Sequence, residues 1–131
     1  ADATINYSTQ DLAQEVLRLT NGKGADLVFE NVGGEVLLKS LEALARRGRL
    51  VTCGTTAGGE LTIDIRRLFL REQTLLGSYM GGKAELLQAL PFLAEGRLKA
   101  VIDRVYPLAE VQAAVGQLAS REHFGKIVLV P

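Results

Sequence analysis

Tryptophan is absent from this sequence, and cysteine, histidine and methionine occur once each, as Cys53, His123 and Met80. A lone cysteine excludes an internal disulfide framework. One cysteine and one histidine also exclude a zinc cage built from those residue types alone. With a single histidine and no Gly-x-Ser-x-Gly elbow, nothing points to a nucleophilic triad. Charge of one sign is not in excess: 15 basic side chains balance 15 acidic ones. Nucleic-acid and membrane-surface binders need clustered Lys and Arg, so neither partner is expected. No apolar run approaches the roughly 18 residues of a spanning helix. No basic stretch leads into an apolar one at Ala1, so no signal peptide is visible, and a cytoplasmic location is the expectation. Position 1 is not methionine, which suggests a piece of a longer protein.

What is present suits a folded domain. Of 131 residues, 47% are hydrophobic and 23% charged, which argues against disorder. Short Val/Ile/Leu runs alternate with segments of helical period. Ala3 to Tyr7 reads as a strand end, with Ser8 as a helix cap and Leu12, Val16 and Leu19 as the buried stripe. Asn21-Gly22 supplies a left-handed stop. Leu27 to Val32 is a strand whose unbroken apolar centre suits cover on both faces. Leu37, Leu41 and Leu44 stripe the next helix, and Arg49 to Cys53 is a third strand. Leu61, Ile63 and Ile65 alternate in a short extended stretch, followed by a short helix over Arg66 to Arg71. Thr74 to Met80 is a strand. Leu86, Leu90 and Leu93 mark a helix that Pro91 should kink or delay. Val101 to Tyr106 and Ile127 to Val130 are extended and flank a helix striped by Val111, Val115 and Leu118. Strand and helix alternating over short connections imply an α/β fold, a doubly wound parallel sheet.

Ligands of such sheets bind outside the carboxyl ends of the strands. The residues expected there are Asn6-Tyr7, Asn31-Val32-Gly33-Gly34, Cys53-Gly54-Thr55-Thr56 and Ser78-Tyr79-Met80-Gly81. They are small, polar or glycine. Glycine lets a ligand approach the backbone, and free N–H groups at helix starts attract phosphate, so an extended phosphorylated cofactor fits. The phosphate fingerprints themselves are missing. There is no Gly-x-Gly-x-x-Gly, and in the stretch from Gly33 to Lys39-Ser40 Leu38 occupies the second glycine of a P-loop. Cys53 reads as a buried small residue, and His123 as a loop or packing residue.

The ordered segments Ala3–Tyr7, Gly24–Gly34, Gly48–Gly54, Leu76–Gly81 and His123–Leu129 resemble the medium-chain dehydrogenase/reductase superfamily. Within it they most resemble the NADPH:quinone oxidoreductase branch of the zinc-binding dehydrogenases. The resemblance covers essentially the whole chain. It implies the second half of a Rossmann cofactor domain over residues 1–100 and, over 101–131, a tail that packs on the catalytic domain. The glycine-rich fingerprint and any zinc ligands would lie upstream, leaving no metal ligand in this chain. The cofactor implied is NADPH. Tyr7 matches a tyrosine beside its 2′-phosphate, and NADP rather than NAD rests on that residue. Asn31, Val32 and Gly33 match the stretch along the adenosine and ribose. Cys53, Gly54 and Thr55 match the stretch passing the pyrophosphate and nicotinamide ribose. Ser78, Tyr79 and Met80 match the loop at the carboxamide, and Gly125 and Lys126 a pair near the nicotinamide. The implied chemistry is hydride transfer to a quinone or an activated alkene or carbonyl. The cofactor carries the reactive atom, so no catalytic acid or base is assigned. The strand 74–80 is expected to pair with its twin in a homodimer. The competing expectation is a non-catalytic nucleotide-binding or dimerisation module.

Overall fold

A computed structural model describes all 131 residues, which form two compact units, Ala1–Met80 and Gly81–Pro131. In the first unit, α1 (Leu12–Leu19), β1 (Ala25–Glu30), α2 (Gly34–Ala43), β2 (Leu44–Thr52), α3 (Ile65–Leu70) and β3 (Thr74–Gly77) follow one another. The three strands form a parallel sheet in the order β1-β2-β3. The expected alternation and parallel pairing are therefore present. Leu37 and Leu41 of α2 form the core with Leu44 and Leu50 of β2, and Val28, Leu61 and Ile63 pack against them.

The register explains which side chains reach this core. Val28 of β1 pairs with Leu50, and Glu30 with Thr52. Successive side chains of a strand alternate, so Val28 and Glu30 share the face under α2. Leu27 and Phe29 fall on the other face and are 62% and 70% exposed. The expectation of cover on both faces fails in this unit, because no element of it packs over that side.

Other expectations move at the ends of elements. Ala3 to Tyr7 forms no strand. The cap of α1 is Asp11, not Ser8: its carboxylate accepts from the Gln14 N–H at 2.9 Å. Asn21 and Gly22 do take positive φ at 52° and 82°. Leu44 belongs to β2 rather than to the preceding helix, and Ile65 opens α3 after the Asp64 cap. β3 ends at Gly77, three residues short of Met80.

Two carboxylates make the fold acid-sensitive. The Gln14 amide first, and Lys39 second, hold Asp11 below its ordinary 3.8. Hydrogen bonds from Arg47 and then Arg46 hold Glu72 below its ordinary 4.5. Each group binds its proton more weakly folded than unfolded. Its stabilisation is complete above the ordinary value and is lost as pH falls through the lower folded one. Glu72→Gln should therefore flatten the loss of stability below about pH 4.5. Denaturant unfolding at several acid pH values checks this, and an acid limb as steep as in the wild type would contradict it.

The second unit contains α4 (Lys83–Ala94), β4 (Ile102–Pro107), a single 3₁₀ turn, α5 (Val111–Ser120) and β5 (Lys126–Val130). β4 and β5 pair in parallel, with Val105 opposite Val128. α4 begins eight residues before Pro91, so the proline does not delay it. The ring sits where an amide would have reached the Leu87 carbonyl, and that bond is missing. The stripe Val111, Val115 and Leu118 is 39–57% exposed, and the buried members of this unit are Ala114 and Tyr106. No helix is long and apolar enough to cross a membrane.

Candidate functional site at the strand ends

Because the three strands of the first unit run parallel, their carboxyl ends share one edge. Glu30 lies opposite Thr52, and Thr52 opposite Gly77. Backbone bonds carry this alignment into the loops. The Cys53 N–H donates to the Glu30 carbonyl at 3.0 Å, and the Ser78 N–H to the Thr52 carbonyl at 2.9 Å. The edge thus gathers Asn31–Gly33, Cys53–Thr55 and Ser78–Met80, as the sequence suggested.

The loops after β1 and β2 are locked together. The Ala57 N–H donates to the Val32 carbonyl at 2.7 Å, and the Gly34 N–H to the Gly58 carbonyl at 3.0 Å. A Cβ on Gly54 would stand 2.5 Å from the Asn31 carbonyl oxygen, so only glycine fits there. The expectation of free N–H groups at this helix start holds only for Glu35 and Val36, because the amides before them are taken. Glu30 takes the Val32 and Gly33 amides at 2.6 and 2.7 Å, and Gly58 takes that of Gly34.

What the edge offers is uncharged and open. Asn31, Thr55, Thr56 and Ser78 are exposed, Tyr79 is 91% exposed and Met80 is 81% exposed. Cys53 is exposed too, contrary to the expectation of a buried thiol, because it follows the last residue of β2 and leaves the sheet. No lysine or arginine lies among these loops. The donor set suits the sugar and base of a dinucleotide better than its phosphates.

Tyr7 lies apart, on a groove of about 340 Å³ shared with Gln10, Asp11, Glu35 and Lys39. The Lys39 ammonium sits 3.4 Å from Glu42 and 3.7 Å from Asp11, and Glu42 chiefly raises its pKa. It is the one cation of this groove, and sequence reading met it only in the rejected P-loop comparison. Its contact with Asp11 joins residues distant in the chain, which no local pattern signals. Sequence reading assigned Glu30 no role, although a charged residue closing an apolar run is a visible oddity. Gly125 and Lys126 belong to the second unit, where the Lys126 N–H donates to the Val101 carbonyl at 2.8 Å.

A family model described as Zinc-binding dehydrogenase matches residues 1–129. The chain belongs to this family. Its resemblance to medium-chain dehydrogenases/reductases is thereby confirmed, and solved relatives share the fold. The crystal structure of an NAD-dependent alcohol dehydrogenase superposes with a TM-score of 0.86 at 38% identity, covering 100% of this chain and 38% of that one. A 2-haloacrylate reductase of a Burkholderia species is 33% identical over 98% of this chain and 41% of its own length. A quinone oxidoreductase of Pseudomonas aeruginosa is 33% identical, with 98% of this chain and 42% of its own covered. The chain thus spans about 40% of the curated relatives it matches.

The family name raises the question of zinc. Cys53 and His123 fall in different units, and nowhere do three or more His, Cys, Asp or Glu side chains gather to hold a metal. The residues of this chain do not fit a zinc centre.

Proposed function

We propose that the chain is the cofactor-domain portion of an NADP-dependent oxidoreductase that transfers hydride to a quinone or an activated alkene or carbonyl. The observation that carries this reading is the family match over residues 1–129, with the candidate contacts after β1, β2 and β3 aligned on one sheet edge. Relatives named for quinone and haloacrylate reduction support the acceptor class. The nicotinamide supplies the hydride when bound. The chain's residues bind and orient it: Asn31, Val32 and Gly33 along the adenosine, Cys53, Gly54 and Thr55 along the middle, and Ser78, Tyr79 and Met80 at the carboxamide. Gly125 and Lys126 serve the nicotinamide end, and residues 101–131 pack on a catalytic domain. The parent works in the cytoplasm.

Tyr7 selects NADPH through its phenol and the 2′-phosphate. A hydrogen bond to a charged group contributes about 1.5–3 kcal/mol, so Tyr7→Ala should weaken NADPH by roughly 10- to 100-fold and leave NADH nearly unchanged. Fluorescence titration of both nucleotides measures this. Equal loss for NADH, or no loss for NADPH, would remove the assignment to NADP.

One observation favours a second role. β3 is an outer strand of its sheet and every residue of it is exposed, so its free edge can pair with a second copy. A stable dimer without nucleotide binding, seen by sedimentation and titration, would support a dimerisation module instead.

A further inference from the structure

The proposed cofactor contacts leave one buried charge unused. Glu30 is the last residue of β1 and is 3% exposed. One carboxylate oxygen, Oε1, accepts both the Val32 N–H at 2.6 Å and the Gly33 N–H at 2.7 Å. The other, Oε2, accepts the Thr52 hydroxyl at 3.2 Å. Two successive amides converging on one oxygen form a nest, the backbone concavity that holds anions. Here the chain fills the nest with its own carboxylate. No lysine or arginine bonds to Glu30, so backbone dipoles and the positive end of the ten-residue α2 compensate its charge.

The consequences reach both loops. The carboxylate fixes the turn Asn31–Gly33 from beneath, and through Thr52 it ties the end of β1 to the end of β2. An external phosphate could reach the Val32 and Gly33 amides only by expelling a buried group of its own sign.

We propose that Glu30 is a positioning residue for this edge. Its carboxylate stands in the nest in place of an external anion, sets the Asn31–Gly33 backbone, and leaves that loop to meet an uncharged ribose or base rather than a phosphate. The clause about ribose or base rests on the cofactor reading above; the filled nest does not.

Backbone amide NMR of the 131-residue chain tests both parts. Glu30→Ala should speed exchange of the Val32 and Gly33 amides at least about 10-fold, the loss of roughly one charge-assisted hydrogen bond. The Leu50 amide, in β2, should change far less. Glu30→Gln keeps a carbonyl acceptor and should restore protection. It removes the charge, so both amide protons should move upfield. Inorganic pyrophosphate should shift neither amide in the wild type. Unchanged exchange in Glu30→Ala, no rescue by Glu30→Gln, or a saturable pyrophosphate shift would each overturn the filled nest. If Glu30→Ala does not fold, the Glu30→Gln shifts and the wild-type titration still decide. Adenosine should perturb Asn31 to Gly33. If it does not while the nest behaves as expected, the cofactor reading fails and the role of Glu30 in the loop stands.

Discussion

Gly33→Ala should lower the melting temperature of the first unit by more than roughly 10 °C, since each kcal/mol shifts a small domain by about 4–8 °C. Two costs combine. Gly33 has φ 79° and ψ −167°, a region open essentially to glycine, where a side chain costs about 1–3 kcal/mol. The added Cβ would also stand 2.6 Å from the Gly58 carbonyl oxygen and 2.9 Å from the Thr55 Cα. Both neighbours are backbone and cannot rotate away, and forcing an atom into packed structure costs about 1–3 kcal/mol more. Gly59→Ala is the control: nothing lies within 4 Å of its Cβ position, and it should be nearly neutral. Thermal unfolding by circular dichroism compares the two. Equal melting temperatures would show that the two loops are not locked as described. The same substitution should release the Val32–Ala57 and Gly34–Gly58 backbone bonds, so nucleotide affinity should fall with stability.

Much of the first unit was legible because its signals are local. The leucines of α2 recur at helical spacing and do form the core with Leu50. Asn21-Gly22 reads directly as a left-handed stop. The strand ends were found because glycine and small polar residues interrupt Val/Leu runs, and the parallel register places them side by side. What escaped depends on contacts distant in sequence. Thr52 is 22 residues from Glu30, and Arg46 is 26 from Glu72. Apolar content alone also misled. Leu86, Leu90 and Leu93 carry a helical stripe, yet they are 44–59% exposed. A stripe states that a helix has an apolar side, not what covers it. The same holds for Leu27 and Phe29, whose run read as a strand with two covered faces.

The 131-residue chain should show no turnover with NADPH and a quinone, its rate matching the uncatalysed background. Hydride transfer needs donor and acceptor carbons held about 3–3.5 Å apart and aligned. Small-molecule sites achieve this by burying roughly 70–90% of the ligand. The strand-end edge is a single open wall, with Tyr79 91% exposed and Met80 81% exposed. The curated relatives bring more than twice this length to the reaction, since the chain spans 41–42% of them. Binding and turnover should therefore separate. NADPH should titrate the chain saturably, while loss of NADPH absorbance after adding quinone should proceed no faster than in buffer. A rate far above background, abolished by Gly33→Ala, would mean that this edge alone orients both reactants. It would overturn the assignment of the chain as one wall of a larger cleft.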